Sequence, residues 1–121
     1  MMPVALEKFL LALPGATLSI QWGDDHVFKV GGKMFAVMGP PENKLRGLSF
    51  KAGEQSFAIL TKQKGIIPAP YLARAHWVQL QKLNALSDKE LKAYLTRAHA
   101  IVASGLSKKM RASLGIAESA L

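Results

Sequence analysis

The chain contains no cysteine. That excludes a disulfide scaffold, cysteine-ligated zinc, iron–sulfur centres and thiol nucleophiles. Acidic residues are also scarce: eight Asp and Glu stand against sixteen Lys and Arg, a formal charge of +8. Aromatic residues make up only 7% of the chain, so each one is worth locating. No apolar run approaches the roughly 18 residues of a membrane span. The most apolar early stretch, from Phe9 to Ala16, is broken by Pro14 and follows Glu7–Lys8 with no basic segment upstream. It reads as the end of an amphipathic helix and not as a signal peptide. A cytoplasmic protein with no membrane partner is expected.

Half of the 121 residues are hydrophobic, enough to bury a core in one domain spanning residues 1–121. The charge is uneven. Residues 1–56 carry six basic and five acidic side chains, net +1, whereas residues 57–121 carry ten and three, net +7. An excess of this kind favours anionic partners, and it also serves solubility.

From Thr17 to Lys51 the pattern is that of β-structure. Thr17–Trp22, His26–Val30 and Lys33–Met38 are rich in β-branched and aromatic residues, and a fourth strand is expected near Leu45–Lys51. Gly31–Gly32 is a two-residue hairpin turn, since glycine adopts positive φ without steric cost. Gly23–Asp25 is expected to form a three-residue turn. These two turns predict pairings of Trp22 with His26 and of Phe28 with Phe35. One face would then carry Leu18, Ile20, Trp22, His26, Phe28, Val30, Phe35 and Val37. Lys29, Met34, Ala36 and Lys51 fall on the opposite, open face.

Helical signals bracket the strands. Pro3 suits a first helical turn, Leu6, Phe9, Leu10 and Leu13 share a face, and Pro14–Gly15 stops the helix. Gly53–Lys64 is a second helix with Phe57 and Leu60 inward, and the prolines of IIPAPY enforce an extended segment after it. Tyr71–Ala75 fits one helical turn. His76–Leu80 is a fifth strand with Val78 and Leu80 on one face and Trp77 and Gln79 on the other. Ser87–Glu90 is a capping box that opens a long helix ending at Gly105, and Ser107 caps a last short one. The fold class is therefore α+β. It is an antiparallel sheet of about five strands with helices packed on one face, the N-terminal helix first and the C-terminal helices last.

The order of a first helix, LPGA, WGDDHVFKVGGKMFAV, PAPYLARAHWV and a closing helix running to SKKMR resembles the MmcQ/YjbR family. The resemblance extends from about Leu6 to Arg111. Its most specific parts are Trp22–Gly23, Lys29–Phe35, Pro70–Tyr71 and His76–Val78. It implies an antiparallel sheet backed by helices, similar in outline to frataxin-like and secretion-chaperone-like folds. It also implies DNA binding, the function by which members are commonly described.

The candidate contacts to nucleic acid are basic side chains able to neutralise phosphates. They are Lys29 and Lys33 on the hairpin, Lys44 and Arg46 before the fourth strand, Lys62 and Lys64 at a helix end, and Lys108, Lys109 and Arg111 near the C-terminus. Trp77, on the open face beside Lys29 and Lys51, is the candidate for stacking on an unpaired base. The plainer reading is that these lysines are solvated surface and that the tryptophan is covered. Asp24, Asp25 and His26, with His76, offer metal-ligating side chains, but Asp–Asp in a tight turn is ordinary turn chemistry. No metal or other cofactor is assigned. Neither a nucleophile nor an oxyanion donor can be named, and Gly31–Gly32 joins two strands and does not open a helix, so no enzyme activity and no small-molecule substrate are expected. His99 is expected to be exposed on the long helix. A protein partner or self-association through the open face, with Met34, Ala36, Met38 and Trp77, is the alternative to DNA.

Overall fold

The computed structural model describes residues 1–39 and 47–116. The chain opens with helix α1 (Pro3–Leu11), which has Pro3 in its first turn and buries Leu6 and Leu10. Strands β1 (Ala16–Gln21), β2 (Asp25–Val30), β3 (Lys33–Met38) and β4 (Leu48–Lys51) follow. Helix α2 (Glu54–Leu60) leads to β5 (Ile66–Pro68), a short 3₁₀ turn (Ala73–Ala75) and β6 (Trp77–Leu80). Helix α3 (Asp88–Ser104) and helix α4 (Lys108–Ser113) complete the described chain. The strands form one antiparallel sheet in the order β1-β2-β3-β4-β6-β5.

The sheet has six strands where five were expected. The additional one is β5, in the proline-containing segment. It pairs only with β6 and so forms an edge, where Pro68 leaves no ladder bond unmade. The helices begin at their signals, but α2 ends at Leu60 with Thr61 as its C-cap, four residues short of the expected Lys64, so Lys62 and Lys64 lie beyond the helix. Ser87 and Glu90 form the reciprocal capping box at the start of α3, a feature worth about 1 kcal/mol. The Ser107 hydroxyl accepts from the Met110 backbone at the start of α4.

Register departs from expectation at two places. The first turn is Trp22–Asp24 and not Gly23–Asp25, because Gln21 pairs with Asp25 and Ile20 with His26. Trp22 (φ 51°) and Gly23 (φ 86°) both adopt left-handed backbone and make the turn. This moves the β1–β2 pairing by two residues, so Leu18, Ile20, His26, Phe28 and Val30 keep their common face while Trp22 leaves it. The second departure is a bulge. Lys29 pairs with Met34 but Phe28 with Ala36, which leaves Phe35 as the extra residue. A bulge sets two successive residues against one partner and breaks the alternation. Phe35 and Ala36 are both fully buried, and Phe35 meets the His99 ring edge-on at 5.3 Å. Beyond the bulge the parity of β3 is reversed. Ala36 and Met38 therefore lie inward, and Val37 lies outward.

The inner face of the sheet is a continuous apolar layer. One cross-strand row runs Leu18, Phe28, Ala36, Phe50, Val78, and the next includes Met38, Leu48, Leu80 and Ile66. Leu6 and Leu10 of α1, Leu60 of α2 and Leu91 and Leu95 of α3 close over it. His99 is buried here as well, 5% exposed, contrary to expectation. Its Nε2 donates to the Pro14 carbonyl at 2.7 Å, so the helix face that carries it is turned to the core.

Candidate nucleic-acid interface

The β2–β3 hairpin determines where positive charge collects. Gly31 (φ 59°) sits so close to Leu106 that a Cβ there would lie 2.7 Å from the leucine methyl groups. The tip of the hairpin is thereby packed on the junction between α3 and α4. Lys33 leaves the hairpin at this point, and Lys108 and Lys109 begin α4 two and three residues after Leu106. Lys33, Met34 and Lys51 line one concavity with Leu72, Ile101 and Gly105. Lys29, paired with Met34, stands on the same outer end of the sheet. The Lys51 ammonium donates to the Ala75 carbonyl at 3.1 Å, which uses one of its three protons and holds it at the rim.

Five lysines, at positions 29, 33, 51, 108 and 109, thus come from four different elements to one end of the molecule. Four acidic groups lie at the other end, together with Lys62, Lys64, Lys82 and Lys89, whereas Glu54 opens α2 at the lysine end. Asp24 and Asp25 flank the β1–β2 turn, and Asp88 and Glu90 begin α3, whose C-terminal end reaches the lysines.

The other candidates lie elsewhere or are already engaged. Lys62 and Lys64 follow α2 just before β5, at the other end and at the opposite edge from β2, so they do not join the lysine cluster. The Arg111 guanidinium donates to the carbonyls of Ser104 and Leu106 and helps to close the end of α3. Its geometry is that of a cap on unsatisfied helix carbonyls. Lys44 and Arg46 lie outside the described residues. Trp77 occupies the outer row as expected, but it is only 3% exposed. Its backbone is clamped by hydrogen bonds to Ala69 and Leu72 in the preceding loop, and the ring is not available for a base to stack on.

The metal-ligating candidates are not assembled. Asp25 and His26 are successive strand residues and point to opposite faces. His26 Nδ1 lies 3.5 Å from Glu7 of α1. His76 stands at the far end of the sheet, where its ring packs on Phe57 with centroids 5.5 Å apart. Among the described residues no three His, Asp or Glu side chains are grouped to hold a metal ion.

A feature not expected from the residues lies on the outer face. A recess of about 340 Å³ has Val37, Ser49 and Gln79 of the sheet as its floor. Trp22, from the first turn, and Tyr71, from the loop before the 3₁₀ turn, both line it. The signal was present: Trp–Gly at a turn and Tyr after Pro place large rings where a strand cannot absorb them.

A six-stranded antiparallel sheet with helices packed on one face defines an α+β protein. The YjbR family model matches residues 11–101, and the chain belongs to that family. Among solved structures it is similar to Deinococcus radiodurans protein DR2400, a DUF419 domain. The two are 24% identical with a TM-score of 0.85, over 98% of this chain and 91% of that one. A Pseudomonas syringae protein is 20% identical with a TM-score of 0.68, over 84% and 99% of the respective chains. These likenesses establish the fold. No curated protein matches the chain. Among the described residues no helix is long and apolar enough to cross a membrane.

Proposed function

We propose that this YjbR-family protein is a non-enzymatic, cytoplasmic DNA-binding protein that grips phosphates with the hairpin end of its sheet. The observation that carries this reading is the seating of Gly31 on Leu106, which puts the hairpin tip with Lys33 at the same end of the molecule as the start of α4 with Lys108 and Lys109. Lys29, Lys33, Lys51, Lys108 and Lys109 are the contacts. Lysines bind phosphate as point charges, without the bidentate base readout that arginine provides, so binding is independent of sequence.

The test is a salt titration. Five phosphate contacts give a slope of log K against log salt of about −4 to −5 on duplex DNA. Replacing Lys33, Lys108 and Lys109 by alanine lowers that slope by about one per residue, whereas replacing Lys62 and Lys64 leaves it unchanged. Absence of binding at low salt would refute the proposal. The second reading is a protein-interaction module or small homo-oligomer using the outer face. It is favoured by the exposure of Trp22 and Tyr71, and a salt-insensitive complex with a protein would support it.

A further inference from the structure

Two aromatic side chains are displayed at a cost. Trp22 is 61% exposed and Tyr71 fully exposed, and each has positive φ, 51° and 66°. Bulky residues rarely adopt left-handed backbone, which costs on the order of 1–3 kcal/mol. Little of that cost is offset by burying the rings. Both nevertheless line the same recess, over a floor that holds the Ser49 hydroxyl and the Gln79 amide, with Asp25 at its edge.

The recess adjoins the basic end. Met34 and Leu72 line both the aromatic recess and the concavity bordered by Lys33 and Lys51. The two adjoin as one track, from the exposed rings on the outer face to the Lys51 ammonium group and, at the hairpin end of the sheet, to Lys33. Charge selects the occupant. A cationic or methylated-lysine ligand would suit two rings and a carboxylate, but the chain that carried it would run onto Lys33 and Lys51. An apolar helix would leave those ammonium groups without counter-charge. A polymer with a planar ring and an anionic backbone matches both ends of the track.

We propose that the track binds single-stranded nucleic acid. One unpaired base stacks on Trp22 and Tyr71 with its edge towards Ser49, Gln79 and Asp25, while the adjoining phosphates lie over Lys33, Lys51 and Lys29. This rests on the nucleic-acid reading above and specifies its substrate. A duplex keeps its bases stacked inside and reaches only the lysines. Stacking platforms combined with a basic groove are the general means of holding single strands.

The test compares an oligothymidylate of about twelve nucleotides with a duplex of equal length, since sites of this kind span about 4–16 nucleotides. Tryptophan fluorescence reports directly, because Trp22 is exposed and Trp77 is buried. The single strand is expected to quench the emission and the duplex to leave it nearly unchanged. Trp22→Gly keeps the left-handed turn accessible and removes the ring. Tyr71→Ala removes the other, and Tyr71→Phe retains stacking. Loss of either ring lowers single-strand affinity by about 5- to 150-fold and leaves duplex affinity within about twofold. Tyr71→Phe restores the wild-type value. If both nucleic acids bind and the ring variants bind the single strand normally, the track is refuted while the phosphate-binding reading survives. If neither nucleic acid binds at low salt, both are refuted. A protein that competes for the wild-type chain but not for Trp22→Gly, with no nucleic acid bound, assigns the recess to a protein partner and also overturns the proposal.

Discussion

The two faces of the sheet are made by the same strands, yet they are built on opposite terms. Inward, Phe28, Ala36, Phe50 and Val78 form a row that is wholly buried. Outward, the neighbouring row is Val27, Val37, Ser49 and Gln79, with the last three left half-covered beneath a loop. The inner face is where burial stabilises the fold, at about 25 cal/mol per Å² of apolar surface. That leaves the outer face free to keep a polar-floored recess and two poorly buried rings. The outer face buries Val27 and Trp77, and the proposed recognition uses the part of it left open around Trp22 and Tyr71. Changes on the two faces should separate in their effects.

The largest expected effect is on the inner face. Phe50 is fully buried and stacks on Tyr94 of α3 with ring centroids 6.3 Å apart. Phe50→Ala should cost about 3–5 kcal/mol in a urea melt, enough to unfold a marginal domain. Gly31→Ala comes next. It imposes left-handed strain and forces Leu106 to move, an expected loss of about 1–3 kcal/mol, and it should weaken DNA binding by displacing Lys33 from Lys108 and Lys109. That coupled loss distinguishes it from the inner-face variant measured at equal folded fraction. Trp22→Gly should leave stability within about 0.5 kcal/mol, or raise it slightly, because glycine relieves positive φ and little packing is lost. A large destabilisation by Trp22→Gly would erase the contrast between the faces. Smallest of all, Lys33→Ala and Lys109→Ala should not move the melting temperature, since both side chains are exposed, and should change only the salt slope of binding.

Much of this architecture was legible in the residues. Pro3, the Ser87–Glu90 box, Gly105 and Ser107 bound helices through backbone chemistry that acts over a few positions, and these boundaries agree closely with expectation. The Gly31–Gly32 hairpin and the two faces of β6 were readable for the same reason. The bulge was not. Strict alternation assigned Val37 to the core and Ala36 to the open face, and one extra residue at Phe35 reversed both. The insertion lets Phe35 pack on His99, a residue 64 positions later, and no local pattern encodes that contact. Trp22 was misplaced because β-propensity treats tryptophan as a strand residue, whereas here it carries the turn. The proline segment was read only as extended, since its strand character comes from pairing with β6, which lies later in the chain.

The proposed interface divides along the same line. Composition established a positive protein, and the chain order established which lysines lie near turns and helix ends. Their convergence was a tertiary outcome. Lys29, Lys33, Lys51, Lys108 and Lys109 are gathered because the sheet runs antiparallel, α3 spans its length and the hairpin tip fits the Leu106 side chain. Lys62 and Lys64, equally basic, are carried to the other end by the length of α2. Charge and local propensity belong to individual residues and survive in any conformation. The arrangement of those charges depends on long-range packing, which one bulge and one glycine–leucine contact direct.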